Sequence, residues 1–227
     1  MPSLTVKPAC DIFGQMDINW LGHSCFRIRG KQAAIVTDPY PPDLGYSLGK
    51  LTADIVTISH QHPSHCYVQG VGGEPRLVKG PGEYEIRGVV IIGIPTFHDG
   101  EGGKTRGKNT VYVMEVDGMT VCHLGDLGHA LSAEQVEGIG DVHVLLLPVG
   151  GVSTIDAPMA AGVIRQIEPK VVIPMHYKTP ALSRELGTVE AFLKEMGIER
   201  IESRPKLTLT SSNLPITTQV FVLDYKA

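Results

Sequence analysis

Five short apolar runs, each leading to an aspartate or a histidine, constrain this chain more than any other feature of its 227 residues. AAIVT leads to Asp38, ADIVTIS to His60 and His62, VVIIGIPTF to His98, MTVCHLG to Asp126, and KVVIPM to His176. Short apolar runs rich in β-branched residues and bounded by turn formers read as buried strands. A polar, metal-competent side chain just past such a strand projects from one rim of a sheet, where residues distant in sequence converge. One such residue would mean little; a succession of them is a pattern.

The other segments decide what kind of sheet this is. INW, SCFRIRG, PRLVKG, YEIRG and TVYVMEV add strands to the first half, with hairpin turns at Arg87-Gly88 and Asp117-Gly118. The second half alternates. Helices are predicted over 132–140, capped by Ser132 with Glu134 soon after, over 157–169 up to Pro169, and over 187–197 closed by Gly197. VHVLLLPVGG, LTLTSS and TQVFVLDY complete the strands. A doubly wound parallel sheet needs crossover helices between its strands, and the first half has too few residues to supply them. The reading is a layered α/β protein with two sheets inside and helices outside. The length suits a single domain over 1–227, with residues 1–16 as an N-terminal extension.

Composition narrows the function classes. A charged fraction of 19% and a hydrophobic fraction of 42% are ordinary for a soluble globular protein. A net charge of -4 argues against a nucleic-acid partner, which calls for a basic face. No apolar run reaches the roughly 18 to 20 residues that span a bilayer, and the first residues lack a signal-peptide pattern. Cys10, Cys25, Cys66 and Cys122 are scattered without a C-x-x-C pair. That reads as reduced thiols and a cytoplasmic location. Cys66, although beside His65, reads as a packed side chain.

His60, His62 and His65 crowd into six positions. Neutral imidazole is a good zinc ligand, and a catalytic zinc typically takes three protein ligands and a water. His60, His62 and His98 form one such set; His65, His176 and Asp126 form a second, with Asp126 able to bridge the two ions. A pair of cations about 3.5–4 Å apart can ionise a water between them and stabilise the charge that develops on attack.

The run H-x-H-x-S-H followed by His98, Asp126 and His176 resembles the metallo-β-lactamase superfamily, whose motif is H-x-H-x-D-H. INWLGHSCFRI, TDPY, HLGDLGH and MHYKT resemble its L-ascorbate-6-phosphate lactonase-like branch and the small Zn-dependent hydrolases within it. The resemblance covers about residues 17–180 clearly. It implies a four-layer αββα sandwich, two mixed sheets flanked by helices, with metals at the sheet edge. It implies Zn2+, with Mn2+ or Fe2+ as other occupants, and a metal-bound hydroxide acting on an ester, lactone, amide or phosphodiester of an anionic small molecule. It also implies a tendency to form homo-oligomers. Residue by residue, His60, His62 and His98 match the first metal site, His65 and His176 the second, and Asp126 the bridge and catalytic aspartate.

Ser64 stands where the motif has its aspartate. A hydroxyl is neutral at pH 7 and a poor zinc ligand, so a weaker second site is expected, and weak or no hydrolase activity is the alternative reading. Pro63 suits the first turn of a short helix entered after His62, in which Ser64 is an early residue. Asp38 is expected behind the ligands, accepting a hydrogen bond from the histidine loop. His23 is expected to reach the cleft and, with Arg106 and Lys178, to contact substrate; Lys108 is a further candidate. The glycine-rich loop 99–109 reads as a mobile flap beside the site. His123 reads as structural.

Overall fold

The computed structural model describes residues 14–225. The strands are β1 (Met16–Gly22), β2 (Cys25–Arg29), β3 (Ala34–Thr37), β4 (Leu51–Thr52), β5 (Ile55–Ile58), β6 (Val71–Gly72), β7 (Arg76–Lys79), β8 (Gly82–Ile86), β9 (Val89–Phe97), β10 (Lys108–Val116), β11 (Met119–His123), β12 (Val144–Pro148), β13 (Val171–Met175), β14 (Leu207–Leu209) and β15 (Gln219–Val220). The helices are α1 (Ala133–Ile139), α2 (Ala157–Ile167) and α3 (Val189–Glu195).

Two mixed sheets result, as the sequence predicts. The first runs β14-β1-β2-β3-β5-β7, antiparallel up to β3 and parallel beyond it. The second runs β15-β13-β12-β11-β10-β9-β8, parallel through β11 and antiparallel after it. The Arg87-Gly88 and Asp117-Gly118 turns sit between β8 and β9 and between β10 and β11, with all four residues at positive φ. That is the backbone of a two-residue hairpin turn, whose twist matches the strands it joins. β4 and β6, a small parallel pair, are not foreseen by the sequence pattern.

The sheets pack face to face. Ile18, Trp20, Phe26, Ile28 and Ile55 of the first share one buried cluster with Ile91, Val111, Met114 and Val121 of the second. Fully burying such side chains contributes about 1.5–3 kcal/mol each. Tyr112 ties the layers together: its hydroxyl donates to the Ile58 carbonyl at 2.9 Å and accepts from Gly80 N–H at 2.9 Å. This fixes the end of β5, from which the histidine cluster leaves.

All three α-helices contribute buried side chains to this larger cluster. α1 is capped by Ser132 as predicted, with Glu134 in its first turn and Gln135 completing the reciprocal pair of a capping box. α2 ends at Ile167, where Glu168 turns left-handed before Pro169. The outer face of the first sheet is covered differently. Leu21, Val36, Val56 and Ile58 pack beneath Tyr40, Leu44, Tyr46 and Leu182, with no α-helix in that cluster among the described residues. The covering segment PYPPDLGYSLG explains this, since its prolines and glycines oppose a helix and leave large side chains to do the covering. The helix expected after His62 also does not form. Residues 63–65 make a single turn closed by His65 N–H to the His62 carbonyl at 2.9 Å. Tyr67 N–H then goes to Pro39 O at 2.8 Å, which ends any helical ladder.

Residues 1–13 of the expected extension lie outside the described residues, as does Cys10; Met16 already belongs to β1. Cys25, Cys66 and Cys122 are free thiols. No helix among the described residues is long and apolar enough to cross a membrane.

Candidate metal centre

The strand ends do converge. His60, His62 and His65 follow β5, His98 follows β9, Asp126 follows β11 and His176 follows β13. Asp126 Oδ2 lies 3.2 Å from His65 Nε2, 3.3 Å from His98 Nε2, 3.4 Å from His176 Nε2 and 3.9 Å from His60 Nε2. One carboxylate oxygen is thus ringed by four imidazole nitrogens. Three overlapping groups have ligand atoms within 4.8 Å of one another: His60 with His98 and Asp126, His60 with His62 and His65, and His23 with His65 and His176.

The chain holds this geometry at a cost. His23, Asp38 and His176 all have positive φ, at 53°, 38° and 53°. A left-handed backbone costs a non-glycine residue about 1–3 kcal/mol and persists where surrounding contacts over-determine it. Two glycines let the ligand-bearing segments pass closely. A Cβ on Gly128 would sit 2.4 Å from the His98 carbonyl carbon, and one on Gly150 would sit 2.2 Å from the His176 carbonyl oxygen.

A hydrogen-bond network behind the ligands sets which nitrogen faces the centre. Asp38 is fully buried, as its expected place behind the histidines requires. Its Oδ1 accepts Ser59 N–H at 2.8 Å, and its Oδ2 accepts both the Ser59 hydroxyl and, at 3.0 Å, His65 Nδ1–H. Ser59 Oγ is in turn 3.0 Å from His60 Nδ1. A proton donated from Nδ1 leaves the Nε2 lone pair of each ring free for a cation. Ser64 holds His62 differently: its backbone N–H donates to His62 Nδ1 at 3.3 Å, and its hydroxyl lies 2.7 Å from the same nitrogen. Asp126 is held by Ser24 Oγ on Oδ1 at 3.3 Å, and its N–H donates to Asn109 Oδ1 at 3.0 Å.

Burial dominates the electrostatics of the first group. It pushes the His60 pKa down to about 3 and lowers those of His62 and His98, which keeps these rings neutral and ready to donate lone pairs. For His65 burial also pulls downward, but Asp126 and Asp38, one on each ring nitrogen, overcome it and hold the pKa up near 10. Burial disfavours the Asp126 carboxylate as well; His176 and His65 outweigh that and keep it well below its usual range.

The centre opens into a cleft of about 730 Å³ lined by His60, His62, His98, Asp126 and His176 together with cationic side chains. Arg106 and Lys108 are there, as anticipated, and so are Lys79 and Arg184. Lys79 ends β7 and obeys the same strand-end rule as the ligands; Arg184 has no signature in the sequence. Lys178 does not face the cleft. Its Nζ donates to the carbonyls of Leu182 and Arg184 at 3.0 and 2.9 Å and pairs with Glu185 at 3.1 Å, because the chain folds back over it there. His23 is not at the cleft surface either. It is 1% exposed, its ring packed against those of His65 and His176. Nor is the loop at 99–107 a loose flap. Buried Asp99 accepts four backbone N–H groups, from Glu101, Gly103, Thr105 and Arg106, at 2.7–3.0 Å. His123 is structural in place, its Nε2 2.8 Å from the Ser24 carbonyl.

Residues 17–176 match the family described as the Beta-lactamase superfamily domain. The chain belongs to the metallo-β-lactamase superfamily. Within the superfamily it also belongs with the UPF0173 metal-dependent hydrolases. One of these, from Methanoculleus marisnigri, is 31% identical over 199 residues, with 75% of this chain and 85% of the relative covered. A crystal structure from Thermotoga maritima, described as a proposed Zn-dependent hydrolase of the metallo-β-lactamase superfamily, is similar at 42% identity and a TM-score of 0.76, covering 93% of this chain and all of that one. A crystal structure from Parabacteroides distasonis, described as a proposed metal-dependent hydrolase, shares the fold at 19% identity and a TM-score of 0.65 over 93% of this chain and 94% of that one. The metallo-β-lactamase fold accounts for the site's location, since it brings strand ends of both sheets to one rim.

Proposed function

We propose that this chain, as a member of the L-ascorbate-6-phosphate lactonase-like branch, is a metal-dependent hydrolase. Its substrate is an ester, lactone, amide or phosphodiester of an anionic small molecule. The observation that supports this most is the ring of four Nε2 atoms within 3.9 Å of Asp126 Oδ2. The donor set fits divalent cations: His60 Nε2 is buried without any hydrogen-bond partner, as a nitrogen reserved for a metal would be. Imidazole and carboxylate donors suit Zn2+, with Mn2+ and Fe2+ also compatible. His60, His62 and His98 would hold one cation, and His65, His176 and Asp126 a second. Cations bound in this way lower the pKa of water and polarise the bond to be cleaved.

The protein's own groups do the rest. Asp38 and Ser59 keep the His65 and His60 rings in the tautomer that presents Nε2, and Ser64 fixes the orientation of the His62 ring. Arg106, Arg184, Lys79 and Lys108 draw an anionic substrate into the cleft and orient it. Asp99 holds Arg106 at the rim by fixing its loop. Lys178 acts one step back, by fixing the Arg184 carbonyl.

Protein purified without chelator and assayed with zinc or manganese against a panel of these bonds tests the reading. Turnover well above a His62→Ala control is expected. No turnover above that control, with metal shown to be present, would overturn it in favour of a metal-binding protein without hydrolytic power.

A further inference from the structure

Ser64 leaves the second cation one oxygen donor short of the superfamily motif, and its hydroxyl is already engaged with His62 at 2.7 Å. The fold places another side chain next to the gap. His23, in the turn between β1 and β2, is 1% exposed, with ring centroids 4.7 Å from His65 and 4.3 Å from His176. A ligand nitrogen of each of these three rings lies within 4.8 Å of the others. Neither ring nitrogen of His23 has a hydrogen-bond partner. A structural histidine at such depth normally satisfies at least one nitrogen, as His123 does with the Ser24 carbonyl. The position of His23 is also fixed: its carbonyl accepts Trp20 Nε1–H at 3.0 Å and His176 N–H at 3.1 Å, and its φ of 53° is left-handed.

We propose that His23 is a ligand of the second cation, which it holds with His65, His176 and Asp126 in place of the carboxylate that Ser64 does not supply. This rests on the metal-hydrolase reading above. It changes what the site selects. Three imidazoles and one carboxylate form a nitrogen-rich set, which favours Zn2+ or Fe2+ over the oxygen-seeking Mn2+. The second position therefore discriminates against manganese more strongly than a site with the motif's aspartate.

Zinc and manganese titrations in competition with a chromophoric chelator, on the wild-type chain and on His23→Gln, test the proposal without any activity assay. The wild type is expected to bind two zinc ions. His23→Gln is expected to keep one at wild-type affinity and to weaken the other at least tenfold. Two zinc ions held by His23→Gln within twofold of wild type would overturn this inference alone. A wild-type chain that binds no zinc would overturn the hydrolase reading and this inference with it. A second measurement needs no variant. Cobalt-loaded wild-type protein should show six contact-shifted ring N–H resonances in its proton NMR spectrum, one for each clustered histidine. Five, with His23 unshifted, would exclude it as a ligand.

Discussion

The hydroxyl of Ser64 lies 2.7 Å from His62 Nδ1, so the residue that breaks the motif still serves the site. It orients a ligand instead of being one. Hydrogen bonds of this kind are typically worth 10–100-fold in metal affinity. Ser64→Ala is therefore predicted to weaken zinc binding about tenfold or more while leaving the thermal midpoint of the chelated protein within a few degrees of wild type; unchanged affinity by competitive titration would refute that role. His65 supplies a second prediction at this scale. Its pKa in the metal-free protein is raised to about 10 by Asp126 and Asp38, against burial, from an ordinary value of 6.5. A raised pKa stabilises the folded state fully below about 6.5, and that contribution is lost as pH rises through about 10. Melting of chelated protein should therefore show stability falling between pH 7 and 10, with a flatter profile for His65→Gln. Parallel profiles for the two proteins would contradict the assignment. Much of this residue scale was legible in the sequence, because a ligand's identity and its place after a strand are both local facts. The depth of His23 was not, since it depends on β13 packing against the β1–β2 turn.

At the scale of elements, the strands announced themselves through short apolar runs and two-residue turns, and the helices through Ser132, Pro169, Gly197 and their apolar periodicity. Loops were less readable. The glycine-rich segment after His98 looks loose as a string of letters, yet one carboxylate, Asp99, gathers four of its amides. Lys178 follows a ligand by two residues, but the backbone turn that begins with left-handed His176 carries its ammonium into the 182–185 segment instead of the cleft. That segment bears Arg184. Lys178→Met is accordingly predicted to expose the amides of 182–186 to hydrogen exchange. It should also weaken inhibition by inorganic phosphate about five- to tenfold, on the order of 1–1.4 kcal/mol. Unaltered exchange and inhibition would show that Lys178 does not hold this loop.

On the scale of the whole molecule, two sheets share one core and leave a single rim where strand ends of both meet. The sequence pattern indicated that architecture through the number of strands in the first half and the lack of room for crossover helices. It did not foresee that tyrosines and leucines in a proline-rich segment would stand in for an outer helical layer. Nothing in hydrophobic periodicity distinguishes a loop that covers a sheet from one that does not; the distinction lies in contacts such as Tyr40 and Tyr46 over Val36 and Val56. The account's central claim is that this rim holds divalent cations on either side of Asp126. Anomalous diffraction at the zinc edge, from crystals grown with zinc, tests it most directly. The account predicts strong peaks at bonding distance from the Nε2 atoms of His60, His98, His65 and His176, with Asp126 Oδ2 between them. Diffraction showing these side chains ordered and no anomalous density among them would contradict it.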